Sequence, residues 1–205
     1  MSIASYSDLQ NSVASWLTRA DLSANITDFI TLGEDRIYRD LRIRAMETAW
    51  TDTMPTGTIA VPANYLELIH AYIDGSPVKP LQRVTAEVMY QKYPLRTSTG
   101  FPIFIARDAQ NFIFGPYPDS NYTIIGTYYC RLPALSATNT TNWFTANAPS
   151  ILLWASLLEA EPFIQNDERL QVWQTKYDQI KENITVEDQR EKYSGSPLRV
   201  NVSWS

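Results

Sequence analysis

The side chains able to do chemistry are few and scattered. The sole histidine, His70, lies between Ile69 and Ala71 in an alternating strand pattern, and no serine or cysteine forms a nucleophile elbow or a Cys–His signature with it. The sole cysteine, Cys130, falls in an aromatic run and excludes an internal disulfide, so it reads as a buried, inert thiol. Among the carboxylates, Glu159 and Glu161 are two apart on a helical stretch and point to different faces. Asp167 and Glu168 suit the start of a helix, where negative charge complements the macrodipole. No catalytic residue and no metal-ligand set emerges. Neither a cofactor nor enzymatic turnover is expected.

The only basic concentration is Arg36, Arg39, Arg42 and Arg44. Its simpler reading is a solvated helix face paired with Glu34, Asp35 and Asp40; the alternative is a contact with an acidic partner, which makes these four candidate inter-subunit residues. The aromatics Phe101 and Phe104, Phe112 and Phe114, and Tyr122, Tyr128 and Tyr129 fit cross-strand core pairs better than a carbohydrate platform. Trp16, Trp154 and Trp173 fall on apolar helix faces and are expected in a helical core. A net charge of -5 argues against affinity for nucleic-acid backbones, which requires a surplus of Lys and Arg to release counterions. No basic leader with an apolar core opens the chain, and the longest apolar run, from Ile151 to Leu158, is far short of the roughly 18 residues a membrane span needs. Synthesis in the cytosol and no membrane partner are therefore expected.

The elements that must position these residues change character along the chain. Up to residue 45 the spacing predicts two helices. Ser7 with Gln10 reads as a capping box ahead of Leu9, Val13, Trp16 and Leu17, and a second helix starts near Asn25 or Thr27 with Phe29, Ile30, Gly33, Ile37 and Leu41 as its stripe. Asp35 and Arg39 are spaced as an i,i+4 pair, and Gly33 permits close approach of another helix. From 46 to 132 the period becomes two, giving six or seven strands. One hairpin is expected across Pro55–Thr56–Gly57, and another across Asp74–Gly75 with a type I′ turn. Thr85 caps a short helix that stops at Pro94. Residues 133–147 read as a polar crossing loop. Helical periodicity returns over 148–193, first in a helix apolar nearly all round that Pro162 bends or ends, then in one capped by Asn166–Asp167 with the seam Leu170, Trp173, Tyr177, Ile180 and Ile184. The expected fold class is α+β, a four-helix bundle with an inserted small antiparallel β-sandwich or barrel and an extended C-terminal arm over 194–205.

That arm carries the candidate binding residues. Leu198, Val200, Val202 and Trp204 alternate with Arg199, Asn201, Ser203 and Ser205, after a Ser194–Gly195–Ser196–Pro197 break. A lone amphipathic strand with no neighbour in sequence to pair with leaves its N–H and C=O groups for another sheet or another molecule. Pro197, Leu198, Arg199, Val200, Val202 and Trp204 are therefore expected to bind a partner.

The order of features, from Tyr6–Ser7–Asp8–Leu9–Gln10, Trp16–Leu17 and Asp28–Phe29–Ile30 through Val61–Pro62–Ala63–Asn64–Tyr65, Pro133–Ala134–Leu135–Ser136 and Thr141–Asn142–Trp143–Phe144 to Gly195–Ser196–Pro197–Leu198–Arg199–Val200, resembles the head-to-tail adaptor (connector) proteins of tailed bacteriophages. The resemblance spans nearly the whole chain. It implies a structural virion protein at the head–tail junction: a homo-oligomeric ring, dodecameric in the common case, bound to the portal protein above and to the tail nozzle or tube below. DNA passes through the lumen without specific binding. On that reading the helices form the ring wall, the β domain faces the tail, and Leu198 to Trp204 dock on the portal or a neighbouring subunit by strand addition. The competing reading is a β-rich glycan- or receptor-binding or decoration protein of a virion.

Overall fold

A computed structural model of the chain describes residues 3–55, 57–75, 78–94, 97–164 and 168–193. The expected α+β class is the class found. Two compact units form. Among the described residues, one contains those up to Arg44 and those from Leu132 to Tyr193; the other is Ala45–Arg131.

In the helical unit, α1 (Tyr6–Leu17) is capped by Ser5 rather than Ser7. Ser5 Oγ accepts from Asp8 N at 3.3 Å and donates to Asp8 Oδ2 at 2.8 Å, while Ala4 N donates to the same carboxylate oxygen. An acid in the first turn thus braces the cap and complements the helix dipole, an advantage Gln10 cannot supply to Ser7. Leu9, Val13 and Leu17 are buried, whereas Trp16 is 43% exposed and stacks edge-on against Trp154, so it is not the core residue its spacing predicted. The stripe of α2 (Ile26–Asp40) buries Ile26, Phe29, Ile30, Gly33 and Ile37. Two short helices, α4 (Trp143–Asn147) and α6 (Glu161–Ile164), flank α5 (Pro149–Glu159). The first corrects the expected crossing loop: Asn142 and Thr145 form a reciprocal capping box there.

The centre of this unit is α5, against which α1, α2, α4, α6 and α7 (Arg169–Tyr193) all pack. Pro149 takes its first turn, and Ile151, Leu152, Leu153, Ala155, Leu157 and Leu158 are all buried, which is what an element apolar all round must do. A Cβ on Gly33 would lie 2.8 Å from Ser156 N, so α2 and α5 meet backbone to backbone. Trp173, Tyr177 and Ile184 are the buried members of the α7 seam; Leu170 and Ile180 are half-buried. Its expected Asn166–Asp167 cap lies outside the described residues.

In the 45–131 unit one sheet has the order β1 (Glu47–Met54), β10 (Tyr122–Cys130), β3 (Tyr65–Ile73), β4 (Lys79–Pro80). A second has β2 (Thr58–Ala60), β8 (Asn111–Gly115), β7 (Phe104–Asp108), β5 (Gln82–Arg83). The short strands β6 (Thr99–Gly100) and β9 (Tyr117–Pro118) pair in parallel, and α3 (Ala86–Lys92) is capped by Thr85 as expected. The expected hairpin at Pro55–Gly57 does not form. There the chain leaves one sheet for the other, β1 pairing with β10 and β2 with β8, and Gly57 takes a φ of 67° at the switch. At Asp74–Gly75 the strands do pair, but Ile73 opposes Lys79, so the connection is longer than two residues; neither Asp74 nor Gly75 has the positive φ of a type I′ turn. Trp50, Met54 and Ile124 from one sheet meet Ile59, Ile105 and Phe112 from the other in a single core.

Two irregularities in β3 set which of its side chains face that core. Register shifts between Thr127 and Tyr128 and between Tyr129 and Cys130 give β3 extra residues against β10. Burial along it therefore runs at Leu68, Ala71 and Ile73, with Tyr65 half-buried, rather than at strict alternation.

Candidate functional site

The four arginines sit at the end of α2 and in the segment after it, beside α5 and α7, and Arg36 and Arg44 pair with acids of those two helices rather than with Glu34, Asp35 or Asp40. Arg36 Nε donates to Glu159 Oε1 at 2.6 Å. Arg42 Nη1 donates to the carbonyls of Tyr38 and Leu41, closing the last turn of α2. Arg44 is held by α7: its N–H donates to Asp188 Oδ1 at 2.8 Å, its Nε lies 3.5 Å from the same oxygen, and its guanidinium also pairs with Glu191. Arg39 is exposed and forms no ion pair among the described residues. Asp40 is taken instead by α7, accepting from Tyr177 Oη at 2.9 Å with Lys181 Nζ at 3.7 Å. Burial first, and that bond to Asp40 second, push the Tyr177 phenol well above its ordinary pKa.

Glu34, expected as a surface partner of these arginines, is 4% exposed. Its carboxyl accepts from Leu135 N at 3.2 and 3.3 Å and from Asn142 Nδ2 at 3.2 Å. Burial pushes its pKa up to about 7 against the opposing pull of these two donors. The crossing segment is thus pinned to α2, where Tyr38 Oη also donates to Leu132 O at 3.2 Å, and to the start of α1, where Tyr6 N donates to Thr140 O at 2.8 Å. The signal was present in the sequence: Glu34 stands four residues after Ile30 and three before Ile37, inside the apolar stripe rather than beside it.

The remaining candidates are placed as follows. His70 is exposed on β3 and stacks on Tyr72. Glu159 is bound by Arg36 and forms no acid pair with Glu161. Cys130 is buried, and that burial raises its thiol pKa, the condition of an unreactive sulfur. Phe112, Phe114 and Tyr128 are core residues; the contact of Tyr65 with Tyr128 joins neighbouring strands as expected, whereas Tyr65 meets Phe112 across the two sheets and Phe101, which lies outside the strands, meets Tyr122 edge-on. Among the described residues no group of three His, Cys, Asp or Glu side chains is arranged to hold a metal, and no helix is long and apolar enough to cross a membrane. Pro197, Leu198, Arg199, Val200, Val202 and Trp204 lie outside the described residues.

The conspicuous polar contacts in the helical unit join α2 to α5, to α7 and to the crossing segment. The family model for the SU10 adaptor protein matches residues 4–201, and the chain belongs to that family, a phage head–tail adaptor family. It is thereby a structural protein of a bacteriophage. A comparison with curated proteins finds no match.

Proposed function

We propose that this chain is the adaptor that joins the portal to the tail nozzle or tube, assembling as a dodecameric ring through which the genome passes. The observation that carries the reading is the family match across residues 4–201. A net charge of -5 supports the passage of DNA, because an acidic lumen repels phosphate and lets the duplex slide. Arg39, exposed and unpaired with any acid among the described residues, is the member of the arginine group best suited to a neighbouring subunit; Arg36, Arg42 and Arg44 contribute by holding α2 in place. The alternating segment Pro197, Leu198, Arg199, Val200, Val202 and Trp204 supplies the attachment to the portal or to the adjacent subunit by strand addition.

Electron microscopy of the protein mixed with portal complexes tests this directly. Ring density at the portal's exit end is the expected result, and Leu198→Asp with Val200→Asp is expected to abolish it while the thermal melt of the free chain stays unchanged. Portals that remain bare with the unaltered protein overturn the adaptor reading; rings that form equally well with the double variant overturn the role of the terminal segment alone.

A further inference from the structure

Within the 45–131 unit a cavity of about 140 Å³ opens beside β3, β5 and β7. Its floor is Leu68, Ile105 and Phe112, which are 4%, 1% and 2% exposed. The irregularities of β3 are what bring Tyr65, three residues before Leu68, to the same lining. Arg83 and Arg107 complete it, and both are exposed.

Each guanidinium is fixed by its own attachment. Arg83 Nη1 donates to Leu68 O, and Arg107 Nε donates to Ala109 O at 3.3 Å while its guanidinium carbon lies 5.3 Å from the centre of the Tyr65 ring. An arginine has five N–H donors, so most on each residue remain available. Neither residue has a carboxylate partner among the described residues. On a chain of net charge -5, two positioned guanidinium groups beside one apolar hole outnumber Glu67, the acid that acts on the same Tyr65, and make a local reversal of sign. Cavities on the order of 150 Å³ with an apolar lining accept a benzene-sized group, so the hole matches one aromatic or branched side chain. Two cations flanking an apolar floor do not form the extended basic stripe a nucleic-acid backbone requires. β5 is the edge strand of its sheet.

We propose that this cleft is a docking socket for an acidic peptide segment of a partner protein, one apolar side chain entering the cavity and the carboxylates flanking it pairing with Arg83 and Arg107. The socket stands on the geometry of the 45–131 unit alone and does not depend on ring assembly. Bidentate Arg–carboxylate pairs supply orientation, and the buried side chain supplies the contact area.

The test is an NMR titration of the full-length, isotope-labelled protein at low salt with the synthetic peptide Ac-Asp-Glu-Phe-Asp-Glu-NH2. Two controls accompany it, Ac-Asn-Gln-Phe-Asn-Gln-NH2 and Ac-Asp-Glu-Ala-Asp-Glu-NH2. Saturable shifts are expected at amides around Tyr65, Leu68, Arg83 and Ile105, with affinity falling about tenfold or more for either control. Arg83→Gln and Arg107→Gln are expected to lose a similar factor with unchanged spectra elsewhere, and Arg107→Lys to retain part of the binding. Equal binding of the uncharged peptide, unchanged affinity in both glutamine variants, or the absence of saturable shifts at these amides overturns the proposal. Concentration-dependent shifts at the same amides without peptide, lost in Arg83→Gln, overturn the choice of partner by making the occupant a second copy of this chain.

Discussion

Glu34 has its carboxyl pushed up to about 7 chiefly by burial, so between its ordinary value of 4.5 and that point the folded chain keeps a proton that the unfolded chain has released. Protonation is then favoured by the fold. The contribution is fully present below pH 4.5 and is lost as the pH rises through 7; at 1.36 kcal/mol per unit it amounts to roughly 3 kcal/mol. Urea unfolding of the wild type and of Glu34→Gln at pH 5 and pH 8 checks the sign. The wild type is expected to lose stability relative to the variant on going to pH 8, and a gap that does not change with pH refutes the assignment. Gly33 sits one residue earlier and answers to packing instead. Alanine would gain about 1 kcal/mol of helix propensity, but its methyl would press on Ser156 N at 2.8 Å, and overpacking of that kind costs about 1–3 kcal/mol. Gly33→Ala is therefore expected to lower the thermal midpoint; a stabilised variant would show that α5 yields. Both positions were partly readable in the sequence. Gly33 in an apolar stripe signals close approach, whereas the charge of Glu34 points to the surface and only its place in the same stripe points inward.

At the scale of elements, what decides legibility is whether the deciding interaction is local. The hairpin of β7 and β8 is closed by Ala109 and Gln110 alone, and the turn-favouring Asp108 and Asn111 that bracket it are adjacent to it in the sequence. Helix α3 was visible for the same reason, because Thr85 accepts from Val88 N three residues on. The pairing of β1 with β10 joins Trp50 to Gly126, far apart in sequence, and no local turn signal competes with that; Pro55–Gly57 therefore marks a change of sheet and not a hairpin. The shifts in β3 are equally hidden, since they exist only relative to β10. The α1 cap is a local case in which two nearby serines compete and Asp8 selects Ser5. Ser5→Ala is expected to cost about 1 kcal/mol in chemical unfolding, because it removes the acceptor for Asp8 N, while Ser7→Ala stays within about 0.5 kcal/mol. The reverse order would restore the Ser7–Gln10 box.

The two units of the whole molecule each possess a core, one centred on α5 and the other shared by two sheets. The 45–131 unit has a further property that bears on its independence: β1 and β10 are hydrogen-bonded neighbours, with Glu47 opposite Tyr129, so the chain enters and leaves this unit on adjacent strands. An excursion whose ends lie side by side is removable in principle, because closing the gap it leaves takes only a short loop and each doubling of loop length costs only about 0.6 kcal/mol. Residues 45–131 expressed alone are expected to give a cooperative thermal transition with an unfolding enthalpy on the order of 60 kcal/mol, as befits a unit of that length, and a dispersed NMR spectrum. The remainder, with Arg44 joined to Leu132 through a few Gly and Ser residues, is expected to keep the Glu34 contacts to Leu135 and Asn142, since both donors lie on its own side of the junction. Retention is measurable as the same pH-dependent stability difference against Glu34→Gln in the shortened chain. If the excised 45–131 unit melts without cooperativity, or the pH-dependent difference vanishes when that unit is absent, the two cores depend on each other and the chain folds as one body.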